Sequence, residues 1–208
     1  MNQKILLILI VVFLFFGCLK TTNKNGIDKK ELSNKNLSIP NIYTIKSKLF
    51  YDATKSAWTL NNNLYSGYLV DFYDNKLPKE KIGILKGKKH NLDIQWYADG
   101  HYKRITAYKN GKIHGDKKIW SSDIKHTLVA HYKFVSGKPH GEQKKWYVTG
   151  EIFKKMNLNM GKEQGLQQAY RKNGSLYANY EAKEGRVFGL KKAELCYSLE
   201  NEKIKTIQ

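Results

Sequence analysis

A length of 208 residues leaves room for one domain and excludes a large multidomain architecture, and a mean hydropathy of −0.60 fits a soluble protein with a modest core. Lys and Arg number 37 against 18 Asp and Glu, so the formal net charge is +19. This excess predicts attraction to anionic lipid, acidic polysaccharide or nucleic acid. The alternative is that the charge is spread over the solvated faces of a Lys- and Asn-rich chain.

Residues 1–17 have the pattern of a secretory signal. The basic start Met1–Lys4 precedes an unbroken apolar run, Ile5–Phe16. This run is too short for a membrane-spanning helix, which needs about 20 residues, and it fits the apolar part of a signal peptide. Gly17-Cys18 follows at once, and the whole segment resembles a bacterial lipoprotein signal. That resemblance implies cleavage before Cys18 and acylation of Cys18, for example with palmitate. A retained signal anchor is the alternative.

Residues 18–40 are polar and low in aromatic side chains. They cannot bury enough apolar area to fold, so we expect a flexible tether between the lipidated Cys18 and the folded domain. The bilayer would then be a partner through acylated Cys18, at the cell membrane or the outer membrane, on the periplasmic or the outer side. Cys196 would be left without a partner for a disulfide. Residues 41–66 are predicted to form a degenerate capping hairpin, with Asn61-Asn62-Asn63 as its turn.

A short motif then recurs through residues 67–199. It reads Gly-Lys-x-His-Gly at 111–115 and 137–141, with weaker copies at 87–91, 161–165 and 185–189. The closing residues are Asn91, Gly115, Gly141, Gly165 and Gly189, at intervals of 24, 26, 24 and 24, and Gly67 extends the series backwards by another 24. A period in this range predicts a repeat architecture. The longer interval places an insertion at 121–126.

Each repeat carries two turn signals with strand-length segments between them. An aromatic residue stands five positions after the closing residue, and Asp99-Gly100, Thr149-Gly150 or Asn173-Gly174 stands near the ninth. An Asx-Gly pair predicts a hairpin turn with positive φ at both residues. A second turn, such as Asn110-Gly111, closes the unit. The pattern predicts an all-β fold in which tandem antiparallel β-hairpins of about 24 residues form an elongated, twisted meander sheet. A charged tail is expected at 200–208.

The segments Leu64–Gly67, Trp96–Gly100 and Tyr108–Gly115 resemble the bacterial variant of MORN repeats. The resemblance covers about residues 47–199 and implies tandem hairpins, contact with membranes or lipids, and scaffolding of other proteins. Some bacterial relatives carry an antitoxin or immunity assignment. The resemblance assigns no catalytic residue.

The histidines do not predict a metal site. His90, His114 and His140 occupy one repeat position, and equivalent positions in successive hairpins lie two strands, or about 9.5 Å, apart. Zinc needs its ligands at about 2.1 Å from one point. The remaining histidines, His101, His126 and His131, show no ligand spacing. We therefore expect turn packing from the histidines, and neither a metal nor another cofactor.

Two sets of side chains are candidate binding surfaces. The aromatic stripe supplies either core area or a platform for sugars and headgroups. The basic residues form either a positive stripe or a dispersed solvated set. The candidate residues are Trp96, Trp120, Trp146, Tyr170, Lys112, Lys138, Lys144 and Lys145.

No catalytic motif is present in the sequence, so an enzyme is not expected. The prediction is a membrane-anchored exported lipoprotein with a non-enzymatic binding or scaffold surface at the cell envelope. Its partner would be an anionic envelope or host surface, or an envelope protein. The alternatives are an immunity or antitoxin-type protein that neutralises one toxin, and a carbohydrate-binding module. Nucleic acid does not fit an exported protein.

Overall fold

A computed structural model describes residues 38–190, 197–200 and 203–206. The predicted signal segment 1–17, Cys18, most of the tether and Cys196 lie outside these residues. The described part of the chain consists of β-strands, turns and one short 3-10 helix, Lys46–Lys48. None of its helices is long and apolar enough to cross a membrane.

The strands are numbered in chain order. Those before the first complete hairpin are β1 (Tyr43–Ile45), β2 (Phe50–Asp52), β3 (Ala57–Leu60) and β4 (Asn63–Leu64). The hairpin strands are β5 (Gly67–Phe72), β6 (Pro78–Leu85), β7 (Lys88–Trp96), β8 (Tyr102–Lys109), β9 (Lys112–Trp120), β10 (Leu128–Val135), β11 (Lys138–Pro139), β12 (Gly141–Trp146), β13 (Ile152–Asn159), β14 (Lys162–Tyr170), β15 (Leu176–Lys183) and β16 (Arg186–Leu190). The last two are β17 (Tyr197–Glu200) and β18 (Lys203–Thr206).

Strands β5 to β16 form a long antiparallel meander in which each strand pairs with its neighbours in sequence. The short β11 and β12 together continue one strand, and both pair with β10. Strand β1 adds to the first edge in parallel with β5. This 13-stranded sheet confirms the predicted all-β fold of tandem hairpins.

Two-residue turns close one end of the hairpins. Five of them place a non-glycine residue with φ of 49–51° before a glycine with φ of 76–91°, the pattern of a type I′ turn. The pairs are Lys86-Gly87, Asn110-Gly111, Ser136-Gly137, Met160-Gly161 and Glu184-Gly185. We call this end of the sheet the tight-turn end.

The turns at the opposite end differ from the prediction that both residues of an Asx-Gly pair take positive φ. Gly100 has a φ of 89°, but Asp99 does not take positive φ. The N–H of Gly100 donates to the carbonyl of Tyr97 at 3.0 Å, and the N–H of Tyr97 donates to the carbonyl of His101 at 2.8 Å. The loop is therefore longer than a two-residue turn, because the Asp99 side chain accepts from the backbone N–H of His101 and supports a wider bend.

The closing residue of each motif copy takes positive φ, from 64° at Asn91 to 104° at Gly189. At four of these positions the strand that contains the closing residue has a bulge: it has more residues than the segment of the preceding strand with which it pairs. In the pair β8–β9, Tyr108 aligns with Ile113 and Thr106 aligns with Lys117. Between these two pairs, β9 therefore advances by four residues and β8 by only two. Bulges of this kind bend a sheet and increase its twist locally.

The bulges leave backbone carbonyls for buried amide side chains to satisfy. Gln143 is 2% exposed and donates from Nε2 to the carbonyls of Lys133 and Gly141. Gln167 is 1% exposed, and its Nε2 donates to the carbonyl of Asn157 at 2.7 Å. Both glutamines stand two residues after a closing glycine, so the polar side chain is part of the repeat.

The apolar core lies at the N-terminal end of the sheet. Tyr65, Leu69, Ile82 and Ile84 are buried together there. Strands β2, β3 and β4 form a separate three-stranded sheet whose Trp58 packs against this cluster. The predicted Asn61-Asn62-Asn63 turn is present, with Leu60 paired to Asn63, and β2 adds a third strand to the expected capping hairpin.

The inserted loop and the C-terminus complete the fold. Residues 121–127 join β9 to β10, where the longer repeat interval predicts an insertion. Within the predicted tail, β18 (Lys203–Thr206) pairs antiparallel with β17. Ile204 and Thr206 are β-branched, which favours a strand.

Candidate binding surface

The tight turns are linked in register along one end of the sheet. The N–H of Gly111 donates to the carbonyl of Lys89 at 2.8 Å, and the N–H of Gly137 donates to that of Ile113 at 2.8 Å. Gly161 repeats the contact with Pro139 at 2.7 Å. These three turns are therefore fixed to the preceding hairpin, and the side chains that follow them form a row.

A basic residue follows each of the five tight turns, and all five residues are exposed. They are Lys88, Lys112, Lys138, Lys162 and Arg186. Because each belongs to a successive hairpin, neighbours in this basic row are separated by two strands, or about 9.6 Å. No carboxylate among the described residues forms an ion pair with any of the five. The row carries two of the predicted site residues, Lys112 and Lys138.

A groove of about 480 Å³ opens beside the first members of this row. Lys88, Lys89 and Lys112 line it together with aromatic rings from Tyr51, Trp58 and Tyr108. The aromatic side chains come from two different sheets, since Trp58 belongs to β3 and Tyr108 to β8. The groove therefore places aromatic residues beside the ammonium groups of Lys88 and Lys112, whereas that of Lys89 bonds to Asp93.

The predicted aromatic stripe is only partly continuous. Tyr102 lies between Trp96 and Trp120, with ring centroids 6.0 Å from the first and 5.7 Å from the second. Within the described chain no ring contact joins Trp146 or Tyr170 to this group, although both are half-buried. The structure thus brings together two of the four predicted aromatic residues, with Tyr102 as a third that sequence spacing did not identify.

Lys144 and Lys145 are adjacent on β12 and therefore point to opposite faces of the sheet. Lys144 lies between His131 and Lys155 in the cross-strand register, whereas Lys145 lies between Ala130 and Lys154. An ion pair of 2.6 Å also joins Lys144 to Glu142. The two lysines do not belong to one surface with Lys112 and Lys138.

A ladder of tyrosine hydroxyl groups connects successive hairpins at the opposite end of the sheet. Tyr73 donates to the carbonyl of Trp96 at 2.7 Å, and Tyr97 donates to that of Trp120 at 2.9 Å. Tyr147 makes the same bond to Tyr170 at 2.9 Å. The sequence signal is a Tyr directly after the aromatic position, and the prediction of a single aromatic stripe did not use it.

Two of the repeated histidines pack against turns, as predicted. The Nδ1 atom of His90 accepts from the backbone N–H of Asn110 at 3.4 Å. His114 accepts in the same way from Ser136 at 3.3 Å. Each histidine thereby supports the tight turn of the next hairpin, and they do not converge on one point.

Comparison of the chain with protein-family models and with curated proteins finds no match.

Proposed function

We propose that this protein is an exported lipoprotein, held in the cell envelope through acylated Cys18, whose repeat sheet binds anionic ligands at its tight-turn end. The binding is non-enzymatic. The likeness of the repeats to the MORN variant supports contact with a membrane or an envelope partner. The apolar run before Cys18 supports export and lipid anchoring at the cell membrane or the outer membrane.

The basic row is the observation that supports this function most directly. Five exposed cations at a regular interval of about 9.6 Å can engage an extended array of anionic groups at several points at once. Each Lys or Arg near an anionic membrane contributes about 1 kcal/mol. A row of this kind gains affinity from the number of its contacts, as multivalent binders do.

The groove beside Lys88 favours a carbohydrate as the second candidate ligand. Tyr51, Trp58 and Tyr108 supply ring faces for sugars, and Lys112 supplies a charge for an acidic group. An acidic polysaccharide would use both the groove and the basic row. A neutral glycan would use the groove alone and would bind without dependence on salt.

The experiment is retention of the full-length protein on immobilised dextran sulfate, with elution by a salt gradient. The polymer has no bilayer, so the lipid anchor cannot contribute. The test variant carries Lys88→Glu, Lys112→Glu and Lys138→Glu. We expect the variant to elute at clearly lower salt than the wild type. Three cations of the basic row are replaced by carboxylates in it, and salt screens the attraction of those that remain.

The matched control carries Lys76→Glu, Lys125→Glu and Lys172→Glu, which make the same change in net charge at exposed positions in the opposite loops. The control should stay close to the wild type. Equal loss in both triple variants would mean that total charge, not the basic row, drives retention. Incorporation of labelled palmitate into the wild type, and its absence in Cys18→Ala, checks the anchor separately.

A further inference from the structure

The inserted loop between β9 and β10 carries a histidine onto the neighbouring hairpin. His126 lies in the extra residues of the longest repeat interval and takes a φ of 46°. Its N–H donates to the carbonyl of Asp123 at 3.0 Å, and the N–H of Lys125 donates to the Asp123 side chain at 2.9 Å. These bonds fold the loop back, so that the imidazole of His126 reaches the turn between β7 and β8.

That turn supplies two further ligand-type side chains. The Nδ1 atom of His101 lies 3.3 Å from Oδ1 of Asp99, and Nε2 of His126 lies 3.5 Å from Oδ2 of the same carboxylate. The two imidazole rings stack with their centroids 3.6 Å apart and their planes 10° from parallel. One ligand-type atom from each of the three residues lies within 4.8 Å of the other two.

Three ligands of this type suit a small divalent cation once the exposed His101 ring turns out of its stack, because the lone pairs of two parallel rings do not meet at one ion. A zinc ion 2.1 Å from each ligand in tetrahedral geometry places the ligand atoms about 3.4 Å from one another. Nδ1 of His101 lies 3.3 Å from one oxygen of Asp99, and Nε2 of His126 lies 3.5 Å from the other, so each imidazole nitrogen is in that range of one carboxylate oxygen.

The neighbourhood leaves the cluster open to a cation. His101 and Asp99 have side chains 58% and 50% exposed, and that of His126 is 16% exposed. An ion could therefore enter from solvent and keep water in its remaining coordination positions. Imidazole nitrogen suits zinc and copper better than magnesium or calcium, and zinc also takes a carboxylate oxygen as a ligand.

We propose that Asp99, His101 and His126 form a binding site for a first-row divalent metal ion, with Zn²⁺ as the physiological class. The ion would join the β7–β8 turn to the inserted loop, two segments that no regular strand pairing connects. The site does not depend on the basic row or on the lipid anchor, because its three residues lie at the opposite end of the sheet from the tight turns.

The test is titration of the untagged full-length chain, purified in detergent and freed of metal by chelation, with ZnCl₂ in an isothermal calorimeter. We expect one zinc ion per chain and a rise in Tm on saturation, since a ligand that binds the folded state stabilises it. Addition of Co²⁺ should give the visible absorption bands of nitrogen and oxygen coordination. Failure of the wild type to bind zinc tighter than about 100 μM would overturn the proposal.

Two variants locate the ion. His126→Ala should weaken zinc binding at least tenfold, because even the loss of a second-shell partner costs 10–100-fold. Asp99→Asn keeps an oxygen that can accept from the N–H of His101 but removes the charge, so it should weaken binding while the turn stays folded. His131→Gln is the matched control, because His131 pairs only with Asp116 on the sheet. Unchanged affinity in both site variants would place the ion elsewhere and refute the site.

Discussion

Two carboxylates are buried in the first repeats, and each has a cation against it. Glu80 is 8% exposed and accepts from Lys46 at 2.8 Å and from Gln95 at 2.7 Å. Asp93 is 0% exposed and accepts from Lys89 at 2.6 Å. Burial raises the pKa of Glu80, but the bonds from Lys46 and Gln95 lower it by more, so the net pKa is below its usual value. The lowered pKa of Glu80 makes the stability of the fold depend on pH.

Lys46→Met should lower the free energy of unfolding at pH 7 by about 1.5–3 kcal/mol, the range for hydrogen bonds to charged groups. Because the folded pKa of Glu80 is lowered, its contribution is complete above the unfolded value of 4.5 and is lost as the pH falls through the folded value. The difference between wild type and variant should therefore shrink below pH 4.5. Urea unfolding from pH 3 to 7 measures it.

Lys79→Met is the control for this measurement, since Lys79 pairs with the more exposed Asp71 at 3.5 Å. Exposed pairs contribute about 0–1 kcal/mol, so the control should change little at any pH. A gap between wild type and Lys46→Met that persists undiminished at pH 3 would contradict the ionic origin of the effect.

At the scale of the element, adjacent hairpins are joined by more than strand pairing. The tight turns donate glycine N–H groups to the preceding hairpin, and the tyrosine ladder repeats a hydroxyl-to-carbonyl bond at the opposite end. The unit with the insertion replaces this tyrosine by Ser121. There Thr127 donates instead to the carbonyl of Val148 at 2.8 Å. The hairpins that make these bonds are thus held at both ends, which limits fraying of a sheet with little apolar core.

Tyr97→Phe should lower the free energy of unfolding by about 1 kcal/mol, because it removes the bond to the Trp120 carbonyl and retains the ring. Tyr102→Phe is the matched control. The Tyr102 hydroxyl bonds to no described residue, while its ring packs between Trp96 and Trp120. Chemical denaturation of both variants measures the contribution of the Tyr97 hydrogen bond apart from that of the aromatic rings. Equal stability of the two would show that the ladder contributes nothing measurable.

For the molecule as a whole, the meander makes each hairpin contact chiefly its two neighbours in sequence. Stability in such an array is approximately a sum over units and the interfaces between them. The apolar core at Leu69 and Ile84 is confined to the first units. Later units instead bury polar side chains such as Gln143 and Gln167, together with alanines.

Deletion of residues 142–165 removes one whole repeat and joins Gly141 to Leu166 in the same register. We expect the shortened chain to keep its β-sheet circular dichroism and to unfold cooperatively, with a smaller m-value because less surface is exposed on unfolding. Deletion of 142–153, half as long, reverses the direction of every later strand and should abolish cooperative unfolding. Loss of folding in the 24-residue deletion would show that the units are not interchangeable.

Much of the fold could be predicted from local chemistry. The closing residues take positive φ at each copy of the motif, and Asn91 does so where glycine is absent, because asparagine tolerates this conformation. The tight turn at Asn110-Gly111 could be predicted from those two residues. The strands could be predicted from the period of two in their side chains. The wide turns were less predictable, since the Asp99 carboxylate accepts a hydrogen bond from the N–H of His101, and the turn differs from the one that the Asx-Gly pair predicted.

The amino-acid sequence alone is enough to predict the repeat period, the strands, the position of the insertion and the basic residue after each tight turn. These depend on backbone preferences of neighbouring residues, which act over a few positions and repeat with the motif. Three features could be seen only in the folded molecule. Tyr51, Trp58 and Tyr108 line one groove. Lys144 and Lys145 lie on opposite faces of the sheet, and His126 lies beside Asp99 and His101. These contacts depend on the register of several strands and on the bulges between them. The spacing of residues along the chain does not give the combined effect of those register shifts.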